Sequence, residues 1–382
     1  MPAPPGATRS IERCARPPRS ARPQAAGESA ILQRIKIAPV GLDAKANIVL
    51  RRWLPNDQDS LRTFFERNKG AEIGMETGTH CRWISVLATE CGCKAYIGNA
   101  HKLRSIFGNT HKNDMRDAEE IANLLHENKR HFHPVMLRDQ EHQDLVQLVK
   151  MREVAMTDRT RSINAIRGMA KANGARIADC DADSFHRQLK LVLMTLPDNL
   201  IRLFRPQIEL LKAINATIKA YDKLIDRYRK QHFKEECALL ETIPGIGPIN
   251  STSFVAFAGD VKRFRHACDV GPYFGLTAGR DQSSDKDEPK KITKEGNKFV
   301  RHLLVNAANN IMKASAANTE LKQFALRVWG ERGKIAKRKA KVALARKLAV
   351  TMAAMLRNGT AYRGIIEEPP LDGQECANEK GE

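Results

Sequence analysis

The chain has 382 residues, 42% hydrophobic and 28% charged, with 64 Lys and Arg against 44 Asp and Glu for a net charge of +20. Mean hydropathy is −0.46, and no apolar run approaches the roughly 20 residues a bilayer-spanning helix needs, which excludes an integral membrane protein and favours a polyanionic partner. Eight scattered cysteines include no C-x-x-C pair, so neither a disulfide framework nor a thiolate zinc site is expected, and reduced thiols of a cytoplasmic protein are.

In chain order, residues 1–34 are rich in Pro, Arg and Ala without periodicity and read as a disordered basic tail. Order is expected to begin at Ile35. The run Ile35–Asp43 reads as a buried strand delivering Asp43 at its carboxyl end, and Ile48–Leu54 as a second strand stopped by Pro55. Asp57–Asn68 follows as a helix with Leu61, Phe64 and Phe65 inward. Next come a short strand Ala71–Glu76, a helix around Cys81–Cys91, a strand Lys94–Gly98 and a helix Asp114–Asn128. Strands alternating with helices predict an α/β domain over residues 35–137.

The pattern then turns all-α. Residues 141–171 predict a helix whose seam carries Arg152 and Arg159 beside Leu145, Val149, Met156, Ile163 and Ile166. Leu211, Ile214, Ile218, Tyr221, Ile225 and Tyr228 recur at spacings of three and four, a stripe suited equally to a helical hairpin or a coiled-coil dimer. Residues 138–235 are therefore expected to form a helical arm, and 236–365 a final domain that continues as helices. Within that domain, residues 327–357 hold ten basic side chains against Glu331 alone, which points to a helix facing nucleic acid. Residues 366–382 are acidic and read as a disordered tail.

Three features carry chemistry. Asp43 and Glu76 end two strands, and Asp114 and Asp117 share one face at a helix start. Four carboxylates at the carboxyl edge of a sheet, as an RNase H-like fold arranges them, would suit Mg²⁺ or Mn²⁺ and phosphodiester chemistry; the same acids could merely favour a helix N-terminus or face solvent. In Ile243-Pro-Gly-Ile-Gly247, Gly245 and Gly247 allow a tight turn whose N–H groups can grip a phosphate, the helix-hairpin-helix pattern. Downstream, Ser283 sits in a polar loop near Arg280, Lys290, Lys291 and Lys294, cations able to stabilise a phosphorane if the serine attacks DNA. No phosphate loop for ATP and no G-x-S-x-G elbow occurs.

The order VGLD, GMETG (Gly74–Gly78), KNDMRDAEEIA (Lys112–Ala122), IPGIG, then GLT…QS…ITKEGN resembles the DEDD-type transposases of bacterial insertion sequences, relatives of the pilin-gene DNA invertase. The likeness spans residues 38–365. It implies a RuvC/RNase H-like domain, a coiled-coil linker and a small helical transposase domain. It also implies metal held by Asp43, Glu76, Asp114 and Asp117, and Ser283 as the nucleophile that forms a phosphoserine link to DNA, with Ser284 the alternative. Expected partners are DNA, a structured guide RNA from the element, and further copies of the chain as a dimer or tetramer uniting the two sites across subunits, in a bacterial cytoplasm at the nucleoid.

The chain departs from that pattern. Asp43 and Glu76 are 33 positions apart, closer than in the family, and only Ala44–Asn47 separates the acid from the next strand. Ala278, Asp281 and Ser284 stand where Pro, Tyr and Gly are usual. Two further readings follow: a metal-dependent junction nuclease using only the acids, and a nucleic-acid-binding remnant whose shortened hairpin has lost the metal site.

Overall fold

The computed structural model describes residues 36–100, 102–103, 114–193, 198–283, 286–330 and 333–366. The expected basic tail, the acidic tail beyond Ile366, Ile35, Lys112, Asn113, Ser284 and Glu331 lie outside the described residues. The chain divides into two compact units, Met1–Leu137 and Arg138–Glu382.

In the first unit the expected opening strand is broken at Ala38-Pro39 into β1 (Lys36–Ile37) and β2 (Val40–Leu42). Proline has no N–H to give a ladder, so pairing stops and restarts around it. The second strand is also split, into β3 (Ile48–Arg51) and β4 (Leu54–Pro55), and Pro55 is part of β4 rather than its stop. β1 pairs antiparallel with β4, and β2 with β3. α1 (Gln58–Arg67) starts where the Asp57 carboxylate accepts from the Ser60 N–H, and buries Leu61, Phe64 and Phe65 as expected. β5 (Glu72–Glu76) and β6 (Lys94–Gly98) pair in parallel, joined through α2 (Cys81–Glu90). α3 (Asp114–Glu127) packs against both β2 and β5. The strand–helix alternation is as expected; among the described residues, though, the strands make separate two-stranded ladders rather than one sheet.

The second unit is mostly helical. α4 (Gln140–Ala172) and α6 (Asp198–His232) lie antiparallel, with the shorter α5 (Phe185–Leu193) between them in sequence. Arg152 pairs with Asp222 and Arg159 with Asn215, so residue numbers rise along one helix as they fall along the other. The apolar stripe thus closes a hairpin within the chain: Ile163 and Ile166 share a core with Phe204, Ile208 and Leu211. Leu145, Val149 and Ile225 continue into a second core with the C-terminal helices.

At the centre of that second core lies α8 (Pro248–Ala258), with Ser251 to Ala258 all buried. α7 (Lys234–Glu241), the short α9 (Val270–Tyr273), α10 (Lys298–Ile311), α11 (Glu320–Trp329) and α12 (Lys334–Asn358) share that core. The expected all-helical course is interrupted by a β-hairpin, β7 (Ala278–Ser283) and β8 (Lys286–Ile292). The basic run is also divided in role. Its later part contributes to the core, with Leu344, Leu348, Ala349 and Met352 fully buried, whereas five of its ten cations fall in the first two turns of α12. No helix among the described residues is long and apolar enough to cross a membrane.

Candidate functional site

The β2–β3 hairpin turns immediately after Leu42, and Asp43 builds the turn. Its Oδ1 accepts from the backbone N–H groups of Lys45 (2.8 Å) and Asn47 (2.9 Å), and the Asn47 side-chain amide donates to Oδ2 at 3.0 Å. The main chain closes the same loop, Asp43 N–H donating to the Asn47 carbonyl at 2.9 Å. The hydrogen bonds from the Asn47 side chain and backbone hold the Asp43 carboxyl below its ordinary range, helped weakly by nearby His126.

Neighbours along α3 fix where Glu76 stands. A Cβ on Gly74 would lie 3.1 Å from a Leu125 methyl and 3.3 Å from one of Ile121, while Glu72 pairs with Lys129 at 2.6 Å. β5 therefore runs against the direction of α3 and carries Glu76 toward the turn that holds Asp114 and Asp117. On the other hairpin Arg51, opposite Val40 in the ladder, pairs with Glu119 at 3.4 Å. Among the described residues no three His, Cys, Asp or Glu side chains gather as a metal ion requires. As placed, the four acids do not fit a shared divalent ion.

The glycine-rich segment of the second unit makes a tight turn into α8. Gly245 takes a left-handed backbone (φ +92°), Gly247 caps α8 in an extended conformation, and Pro248 occupies the first helical position, where its missing N–H costs nothing. Ile243 and Ile246 are buried, which seats the turn on the core. Glu241 braces it from below, accepting from the Ser251 hydroxyl at 2.7 Å and from the Arg229 guanidinium at 2.6 Å.

Ser283 is not in a loop. It is the last residue of β7, in register with Lys286 at the turn end of the hairpin. Lys291 and Lys294, at the other end, are exposed. The motif residues around the serine lock the hairpin's base. Gly275 (φ +65°) and Gly296 (φ +74°) lie against the opposite backbone, so a Cβ on Gly275 would stand 2.2 Å from the Glu295 carbonyl oxygen, and one on Gly296 2.0 Å from that of Tyr273. Arg301 donates to the Phe274 and Glu295 carbonyls, both at 2.9 Å, and the Asn297 side chain caps α10. Arg229, Glu241 and Arg301 escape a reading of the sequence, since nothing in it shows which carbonyl or carboxylate a lone arginine will meet. Asn297 did carry a signal, an amide directly before an apolar-periodic run.

Comparison with known proteins covers both units. Residues 36–172 match a family model described as a transposase of the DEDD type, and residues 237–324 match the transposase IS116/IS110/IS902 family. The transposase for insertion sequence element IS1111A of Coxiella burnetii is 28% identical over 66% of this chain and 69% of its own length. A putative transposase of Sinorhizobium fredii is 27% identical over 85% of this chain and 82% of its own. A probable family 20 transposase of Pseudomonas aeruginosa is 26% identical over 85% and 94% respectively.

Proposed function

Because the chain belongs to the DEDD-type insertion-sequence transposases, we propose that it cuts and rejoins DNA at the ends of such an element, with Ser283 as the nucleophile. The Ser283 hydroxyl loses its proton and attacks a phosphodiester phosphorus; the bond from phosphorus to one DNA oxygen breaks, and that oxygen leaves as a hydroxyl. The phosphoserine link conserves the bond energy, so a second DNA hydroxyl can displace the serine and seal the new junction without ATP. Arg280, Lys290, Lys291 and Lys294 supply positive charge for the phosphorane, and the Gly245–Gly247 turn takes a neighbouring backbone phosphate.

The observation that carries this reading is the hairpin itself: Ser283 ends β7 at the turn, on a base interlocked by Gly275 and Gly296. A DEDD domain also implies Mg²⁺ or Mn²⁺, yet among the described residues no three His, Cys, Asp or Glu side chains gather as such an ion requires. Further copies of the chain and a structured RNA are the partners this reading entails.

The experiment is a search for a serine-linked protein–DNA adduct on element-end DNA, with the element's RNA and Mg²⁺ present. Wild type yields adduct and rejoined product, and Ser283→Ala, folded normally, yields neither. Unchanged product from Ser283→Ala removes this serine from the mechanism. A second reading, a relative that binds nucleic acid without cutting it, is favoured by the engagement of Asp43 in its own turn. It predicts salt-sensitive binding with no strand scission by the wild-type chain.

A further inference from the structure

We propose that the first two turns of α12 are a docking surface for the phosphate backbone of duplex DNA, separate from the Ser283 hairpin and the glycine turn. The inference rests on the chain acting on DNA and names a surface that this reading does not.

Lys334, Lys337, Arg338 and Lys341 recur at intervals of three, one and three, which places them on one face of the helix over about 10 Å of rise. Lys334, Lys337 and Arg338 are exposed, and Lys341 is half-buried. The helix contains no acidic residue over its whole length, and among the described residues no carboxylate pairs with any of the four. Four like charges on one helix face repel, so the row costs stability unless something anionic meets it.

The row is also rigidly mounted. Ala340, Leu344, Leu348 and Met352 anchor the same helix in the core with no exposure, and Lys337 lies 4.8 Å from the centre of the Trp329 ring. A fixed row suits an anion whose own charges are fixed.

The partner's class follows from what is missing around the row. Binders of single strands combine positive charge with open aromatic faces on which bases stack. Among the described residues of Arg138–Glu382 no Phe, Tyr or Trp is exposed; Phe324 and Trp329 are half-buried with Lys347 and Lys337 over their rings. Charge without stacking is the chemistry of backbone contact to a duplex, whose bases are already paired.

The test measures binding of the full chain to a fluorescent 30-base-pair DNA across a salt series, beside a single-stranded DNA and an RNA hairpin. The variant replaces Lys334, Lys337, Arg338 and Lys341 with Gln. A charge-matched control replaces Lys212, Lys219, Lys223 and Arg227 of α6 with Gln. A charge-conserving variant (K334R, K337R, R338K, K341R) guards against misfolding. With roughly 0.9 counterions released per neutralised phosphate, the neutral variant is expected to flatten the slope of log K against log salt by about 3 for duplex DNA and to weaken binding at least tenfold. The control and the charge-conserving variant are expected to keep the wild-type slope. An unchanged duplex slope in the neutral variant, equal loss in the α6 control, or loss confined to the single strand or the RNA overturns the proposal. Absence of duplex binding by wild type would instead overturn the reading on which it rests.

Discussion

Gly275→Ala tests whether the hairpin that carries Ser283 is locked at its base. The new Cβ would stand 2.2 Å from the Glu295 carbonyl oxygen and 2.5 Å from the Glu295 nitrogen, both backbone atoms that cannot rotate aside, and the φ of +65° is one that L residues avoid. The left-handed backbone alone costs about 1–2 kcal/mol, and forcing the two segments apart adds about 1–3 kcal/mol. The sum of about 2–5 kcal/mol should lower the melting temperature of a unit this size by roughly 5–15 °C. Gly174→Ala supplies the comparison, because Gly174 has a similar φ of +76° but nothing within 4 Å of its Cβ position. It should pay only the backbone cost, a shift of about 2–6 °C. The assay is calorimetry of the full chain, with hydrogen exchange to show that the amides of β7 and β8 open first. Equal shifts for the two variants would refute the interlock, as would unchanged protection of the hairpin in Gly275→Ala.

Other expectations follow from the same geometry. Asn215→Leu removes one partner of the buried Arg159, which keeps the Asp183 carboxylate, and should cost about 1–2 kcal/mol in urea unfolding; Asp183→Ala in addition, which leaves the guanidinium unpaired, should cost distinctly more. Glu241→Ala takes one partner each from Arg229, which keeps Asp226, and from the Ser251 hydroxyl, which keeps the Pro248 carbonyl; it should lower stability by about 1–2 kcal/mol while weakening duplex DNA binding through the Gly245–Gly247 turn. The lowered carboxyl of Asp43 contributes stability that is present above the ordinary Asp range and is lost as pH falls through its folded value. Asn47→Ala should move the Asp43 titration upward, read by carbon-13 NMR of the carboxyl, and should shrink the acid-side loss; an unmoved titration would show that the turn does not set it.

Local periodicity made most of the first unit legible. The β6 bounds match the expected strand, α1 fills the expected Asp57–Asn68 span but for one residue at each end, and in the second unit α4 follows its apolar seam. What failed was long-range. The pairing of Arg51 with Glu119, which ties the β2–β3 hairpin to α3, is encoded by no spacing. The β7–β8 hairpin was hidden because AGRDQS and KDEPKKI have little apolar alternation. Their pairing is instead consistent with the interlocked base below, where Thr293 and Lys294 donate to the carbonyls of Thr277 and Gly275. The α6 stripe was visible, but its partner, α4 of the same chain, emerges only from Arg152 meeting Asp222 and Arg159 meeting Asn215.

The most direct test of the account is Mn²⁺ binding to the full chain, followed by electron paramagnetic resonance, in wild type, Asp43→Asn and Asp117→Asn. With the Asp43 carboxylate fastening its own turn, and no three possible ligands gathered among the described residues, Asp43→Asn should leave the Mn²⁺ affinity unchanged while lowering the stability of the β2–β3 hairpin. A tenfold or greater weakening in Asp43→Asn, matched by Asp117→Asn, would show that the two acids hold the same ion and would contradict the geometry described above.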